Sequence, residues 1–198
     1  MLPHSVAAAI LAGGHARRFG GRDKSRLVVE GRSIIVRQVD VLQRVAAEIF
    51  IVAADADRFA DLGLPVHPDR IAGAGALGGL FTALEVARAD LVITVACDLP
   101  FLDAGLLTRL TERAASADGA WIRGDRGVEP LLACYRRSAR HVIGEAIAAG
   151  RLKAADVASV LRIAEVTRAE VEQFGAPERL LANINTPDDY ARVQYPAS

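Results

Sequence analysis

Gly13-Gly14, Arg18 and Lys24 follow one another closely behind the apolar run Val6 to Ala12, with Gly20 and Gly21 between the two cations. Glycines let backbone N–H groups crowd around a phosphate chain, and Arg18 and Lys24 carry the charge to neutralise it. Asp98 ends the apolar run Leu91-Val92-Ile93-Thr94-Val95-Ala96 and precedes Leu99-Pro100. A hard oxygen ligand beside a triphosphate is what Mg²⁺ requires, with substrate oxygens and water completing its octahedron. Asp69 follows the short run Leu64-Pro65-Val66-His67 and could hold a sugar hydroxyl, a base edge or a water near the metal. The plainer alternatives are a basic surface turn for the loop, a helix cap for Asp98 and a turn acid for Asp69.

Two other phosphate-binding patterns can be tested against the chain. A Walker loop needs Gly-Lys-Ser/Thr, whereas Asp23 precedes Lys24-Ser25 here. A dinucleotide fingerprint does occur at Gly73-Ala74-Gly75-Ala76-Leu77-Gly78, with Asp98 near the spacing of a ribose-binding acid. That fingerprint requires its glycines at the strand end, and Pro68-Asp69-Arg70-Ile71-Ala72 intervenes.

The elements that must position these residues alternate between strand and helix. Val6–Ala12, Ile49–Val52, Leu64–His67 and Leu91–Ala96 read as buried strands. Ser33 is placed to cap a helix reaching about Ala47, with Ile35, Val39, Leu42 and Val45 on one face. Leu80–Ala89 has helical spacing, and Asp103 is placed to cap a helix through about Ala115. Ala120–Ile122 and Leu131–Tyr135 read as strands around a polar turn. Ser138–Ala149 reads as a helix and Leu161–Val166 as a strand. Asn183-Ile184-Asn185 reads as an extended piece, and Thr186-Pro187 opens a last helix. Near-continuous apolar strands alternating with helices predict an α/β fold with a mainly parallel, doubly wound, Rossmann-like sheet. A length of 198 residues predicts one domain over 1–198.

Composition narrows the function. Lys+Arg and Asp+Glu both number 24, and the isoelectric point is about 6.9, so the basic footprint of a nucleic-acid binder is missing. No apolar run approaches the roughly 20 residues of a membrane span. The N-terminal apolar run has no basic region before it, against a secretory signal. Cys97 and Cys134 lack metal-site spacing and read as small buried residues of a reducing cytoplasm. Lysine stands only at positions 24 and 153, in a chain that otherwise uses arginine. A compact ammonium suits a phosphate. Arg123, Arg126, Arg151 and Lys153 are candidate cations for a second, anionic substrate, and Asn183 and Asn185 could reach the same pocket.

Leu11-Ala12-Gly13-Gly14, then Arg18, Gly20 and Asp23-Lys24, is similar to the signature of the molybdenum cofactor guanylyltransferases, within the nucleotide-diphospho-sugar transferase-like superfamily. The resemblance continues through Gly75-Ala76-Leu77-Gly78-Gly79, Cys97-Asp98-Leu99-Pro100-Phe101, Glu129-Pro130-Leu131 and Asn183-Ile184-Asn185-Thr186-Pro187, spanning nearly the whole chain. It implies a three-layer α/β/α sandwich. It also implies GTP contacts from Leu11, Ala12, Gly13, Gly14, Lys24, Asp69 and Asp98, with Asp98 also binding Mg²⁺ and Arg18 and Lys24 assisting catalysis. The implied second substrate is molybdenum-molybdopterin, and the implied partners are molybdoenzyme apoproteins or their chaperones. The Gly13-Gly14 pair favours guanine, since cytidine-using relatives resemble Leu-Ala-Ala-Gly there. Where guanylyltransferases can carry Asn after the second long strand, this chain has Val52-Ala53-Ala54. A cytidylyltransferase, a nucleotidyltransferase of sugar or alcohol phosphates, a dinucleotide-dependent oxidoreductase using Gly73 to Gly78 and a silent nucleotide-binding regulator are the competing expectations.

Overall fold

A computed structural model describes residues 5–13, 23–125 and 127–195. Gly14, Arg18 and Arg126 lie outside these residues. The sheet begins with β1 (Val6–Leu11), which is buried along its whole length. Ala7, Ala8 and Ala9 are fully buried there, and their small side chains let a helix pack closely on either face of the strand. β2 (Val28–Val29) and β3 (Arg32–Ser33) form a separate two-stranded hairpin that leads into α1 (Ile34–Leu42). Then come β4 (Glu48–Val52), β5 (Val66–His67), α2 (Gly75–Val86), β6 (Leu91–Ala96) and α3 (Ala104–Ala114). The remainder is β7 (Gly119–Gly124), β8 (Gly127–Arg136), α4 (Arg140–Ala148), β9 (Ile163–Val166), α5 (Arg168–Val171), α6 (Pro177–Leu180) and α7 (Pro187–Gln194).

The main sheet has seven strands in the order β5-β4-β1-β6-β8-β7-β9. β8 pairs antiparallel with both β6 and β7, and every other pairing is parallel. Alternation along the strands divides the core into two layers. Ala8, Ile10, Ile93 and Val95 face Ile35 and Leu42 of α1 and Leu106, Leu107 and Leu110 of α3. Ala7, Ala9 and Val92 face Leu77, Leu80 and Leu84 of α2 and Ile143 of α4. This is the three-layer sandwich that the resemblance implies, built on the mainly parallel, doubly wound sheet that the alternating pattern predicts. Among the described residues no helix is long and apolar enough to cross a membrane.

Several boundaries depart from the expected ones, two of them by about five residues at helix ends. α1 stops at Leu42, before Ala47. α2 starts at Gly75, five residues ahead of the apolar spacing, because its first turn is built from Gly and Ala with no face to read. Gly75 sits at φ 57, a left-handed conformation natural to glycine. A Cβ on Gly78 would stand 2.9 Å from the Ala74 Cβ, so the chain entering α2 could not fold so tightly against any other residue.

Candidate functional site

β1 pairs with β4 on one side and β6 on the other, so the strand order reverses around it and leaves a crevice beyond the strand carboxyl ends. A cavity of about 360 Å³ occupies that crevice. Leu11, Ala12 and Gly13 reach it from β1, Val52 from β4, and Ala96, Cys97 and Asp98 from β6. Gly75, Ala76 and Gly79 bring the N-terminal turn of α2 to its wall, and Asp23, Lys24, Asp69 and Asn185 complete the polar lining. The fold thus gathers Gly13, Asp23 and Lys24 from the two ends of the first loop, together with Asp69, Asp98 and one of the two asparagines, around a single space.

Each polar group is held by a specific contact. Ala12 N donates to Val52 O at 2.9 Å, which fixes the exit of β1. A Cβ on Gly13 would lie 3.5 Å from Asp69 Oδ2, so that glycine keeps the backbone open toward the carboxylate. Lys24 begins a short 3-10 turn, Lys24–Arg26. Asp23 caps it by accepting from Ser25 N at 3.0 Å and Ser25 Oγ at 2.7 Å. Lys24 Nζ donates to Asn185 Oδ1 at 3.0 Å, across 161 residues of sequence. Asn185 N in turn donates to Asp189 Oδ2 at 3.0 Å, at the capping box that starts α7.

Burial raises the Asp98 carboxyl above the ordinary carboxylate value, although the Lys24 charge pulls it down. Partial desolvation raises Asp69 in the same direction. Burial also pushes on Asp23, but Arg58 and Ser25 outweigh it and hold that carboxyl below its usual value. The Cys97 thiol is pushed up to about 12 by burial, with Asp98 adding to the effect, so it is no thiolate nucleophile.

Two residues that sequence reading did not single out belong to this site. Arg58 lines the cavity from the 3-10 turn Asp57–Leu62 and forms a 2.7 Å ion pair with Asp23. It is the polar side chain offered by the segment after β4, where Val52-Ala53-Ala54 supplies none. Arg58 and Arg26 lie over the buried Phe59 ring, at 5.2 and 5.7 Å, and Arg26 also grips Asp61 at 2.8 Å. The second residue is Gln38, fully buried on α1, whose Nε2 donates to Ala96 O at 2.8 Å and Leu99 O at 2.9 Å. Its signal in the sequence is a polar side chain on a helix face otherwise made of Ile34, Ile35 and Leu42.

A second cavity of about 580 Å³ contains Asn183 and Glu129, with Phe101, Arg168, Arg179 and Arg192 among its walls. Asn183 and Asn185 therefore face two different spaces, separated by the buried Ile184. Arg151 and Lys153 are exposed after the end of α4 and line neither cavity. Arg123 pairs with Glu165 at 2.6 Å. The Gly73-to-Gly78 stretch forms the approach and first turn of α2 and shares the cavity of the first loop, rather than making a separate dinucleotide site.

Among the described residues no three His, Cys, Asp or Glu side chains cluster as a metal-binding group. Of the three carboxylates among the described residues of the cavity, Asp23 is tied to Arg58 and Ser25 and Asp69 is exposed, whereas Asp98 is the most desolvated, which fits an ion that takes one protein oxygen and completes its shell from a triphosphate and water.

Residues 8–168 match the family described as MobA-like NTP transferase domain. The chain is 33% identical over 189 residues to a Carboxydothermus hydrogenoformans protein named "Probable molybdenum cofactor guanylyltransferase", covering 96% of this chain and 95% of that one. It is 31% identical over 187 residues to the molybdenum cofactor guanylyltransferase of Shewanella woodyi, covering 92% of each. Among solved structures, molybdopterin-guanine dinucleotide biosynthesis protein A from Archaeoglobus fulgidus superposes with a TM-score of 0.80 at 26% identity, over 95% of this chain and 96% of that one.

Proposed function

The chain belongs to the MobA-like NTP transferase family, and on that footing we propose that it is a molybdenum cofactor guanylyltransferase. It transfers GMP from GTP to the phosphate of molybdenum-molybdopterin and releases pyrophosphate. The observation that carries this reading is one cavity walled by Gly13, the Lys24 ammonium and the Asp98 carboxylate, at the switch point of the sheet.

The chemistry follows from what these groups can do. Backbone groups of Leu11, Ala12 and Gly13 hold the nucleoside end of GTP, and Asp69 contacts it from beside Gly13. Lys24, steadied by Asn185, neutralises charge on the phosphates, and Arg18 is proposed to join it. The N-terminal turn of α2 adds its partial positive charge to the same wall. Asp98 would hold Mg²⁺, which when bound supplies charge neutralisation on the triphosphate. An acceptor phosphate monoester is largely dianionic at neutral pH, its second pKa being about 6. It can attack the α-phosphorus without a general base, and alignment carries most of the catalysis.

The second cavity, reached through the Asn183-to-Asn185 segment, is the proposed seat of the acceptor. Its apolar walls, Phe101, Leu181 and Val193, suit a flat ring system, while its arginines are already paired, Arg168 with Asp125 and Glu178, Arg179 with Glu30 and Arg192 with Asp189, so an anionic group would have to displace a carboxylate to reach them. Nucleotide choice is the direct test. Calorimetric titration with GTP, CTP, ATP and NAD, each with and without Mg²⁺, should give tight, Mg²⁺-enhanced binding of GTP alone. Preference for CTP would keep the fold and the transfer chemistry but change the product, and binding of NAD alone would overturn the reading of the first loop.

A further inference from the structure

The turn that carries Asp98 is held from outside at nearly every peptide. Cys97 N donates to Leu11 O at 3.2 Å, and Ile184 N donates to Asp98 O at 2.9 Å. Arg37 Nε donates to Pro100 O at 3.0 Å. Two further carbonyls, Ala96 O and Leu99 O, bracket Cys97-Asp98, and both accept from the single amide nitrogen of Gln38.

Gln38 is fully buried, and among the described residues its Oε1 has no hydrogen-bond partner. A buried amide oxygen left without a donor opposes folding, whereas Leu or Met would fill the same space without that penalty. The side chain therefore makes sense as a donor of two bonds rather than as packing. Both bonds end on the peptides flanking the one carboxylate that α1 could influence. We infer that Gln38 is a positioning residue for Asp98, setting the aim of its carboxylate toward the Mg²⁺–nucleotide complex. This inference rests on the proposed metal-binding role of Asp98.

Without the amide, Ala96 O and Leu99 O lose their donors while Cys97 N, Asp98 O and Pro100 O keep their partners. The turn stays attached but slackens on each side of Asp98. Loss of such supporting contacts behind a metal ligand lowers metal affinity by about tenfold or more, while a nucleotide held by other groups is little affected.

The test compares Gln38→Met, Gln38→Glu and Asp98→Asn with the unmodified protein. GTP binding is titrated calorimetrically in excess Mg²⁺ and again in EDTA, and thermal melting is recorded for each. Met preserves volume but donates nothing. Glu, protonated in this buried site, donates one bond. We expect Gln38→Met to melt lower yet bind GTP in EDTA like the parent, with the Mg²⁺ enhancement of affinity cut roughly tenfold. Gln38→Glu should fall between the two, and it carries the test alone if the Met variant does not fold. Loss of the enhancement in Asp98→Asn but not in the Gln38 variants would overturn the positioning role and leave the metal reading standing. Full enhancement in Asp98→Asn would overturn the metal reading itself.

Discussion

The carboxyl of Asp98 is desolvated in the nucleotide cavity, and this burial raises its pKa even against the pull of Lys24. A carboxyl whose folded pKa is raised binds protons more readily in the folded state, so its ionised form opposes folding at every pH above the shifted value. Ligand-free Asp98→Asn should accordingly melt higher than the parent at neutral pH while losing Mg²⁺-dependent GTP binding. A scan with and without nucleotide reads both effects, and a lower melting temperature in the ligand-free variant would contradict the account. The same sign makes metal-dependent binding fall on the acid side at a higher pH than an exposed aspartate would give. Lys24→Ala should lower kcat by roughly a hundredfold, the usual loss when one donor to a developing or transferring charge is removed. Arg58 acts differently, by tying Asp23 and the turn bearing Lys24 to the Asp57–Leu62 segment. Its ion pair with Asp23 is partly exposed, so Arg58→Ala should cost no more than about 1 kcal/mol of stability. Its main effect should be weaker GTP binding, measured by titration beside a melting curve lowered by no more than about 2–4 °C. Asp98 and Lys24 were legible from residue type and position after a strand. Gln38 showed only as a polar side chain on an apolar helix face and Arg58 not at all, because the partners in a hydrogen bond spanning 58 residues and in an ion pair between residues 23 and 58 have no local signature.

The start of α7 positions Lys24 from a distance, through Asn185. The capping box at α7 joins Thr186 and Asp189, and the Asp189 carboxylate also accepts from Asn185 N. Burial tends to raise the Asp189 carboxyl, but the hydrogen bonds from Thr186 and Asn185 win and hold it below its ordinary 3.8. The stabilisation from this cap is therefore complete at neutral pH and is lost as pH falls below 3.8 toward the depressed folded value. Asp189→Ala removes the N3 half of the capping box and should cost about 1 kcal/mol, comparable with loss of an N-cap, and should raise KM for GTP through the loosened Asn185–Lys24 contact. Melting curves and steady-state kinetics separate the two consequences. The α7 start was readable from Thr186-Pro187, as the α3 start was from Asp103, whose carboxylate does accept from Leu106 N at 2.9 Å. The α2 start was not readable, because glycine and alanine give no apolar period. α5 and α6 went unread as well, since four residues are too few to show one.

The whole molecule places a binding crevice at one end of a sheet whose two faces are packed independently. Leu84 lies in the α2 layer and Leu110 in the α3 layer, both fully buried. Truncation of either to Ala should cost about 2–5 kcal/mol, with melting falling about 2–4 °C per kcal/mol, and GTP affinity well below the melting temperature should change little. The buried parallel half, β4-β1-β6, was visible as continuous apolar runs. The reversal at β8 was not, because strand direction is a property of the connection between β7 and β8 and not of either strand's residues. The account's central claim is transfer of GMP to a phosphate acceptor. Its most direct test incubates the purified protein with GTP labelled at the α-phosphate, Mg²⁺ and molybdenum-molybdopterin. The account predicts label in a product carrying the acceptor, with one pyrophosphate released for each transfer. Label recovered only as unreacted GTP or free GMP, with the acceptor unchanged, would contradict it.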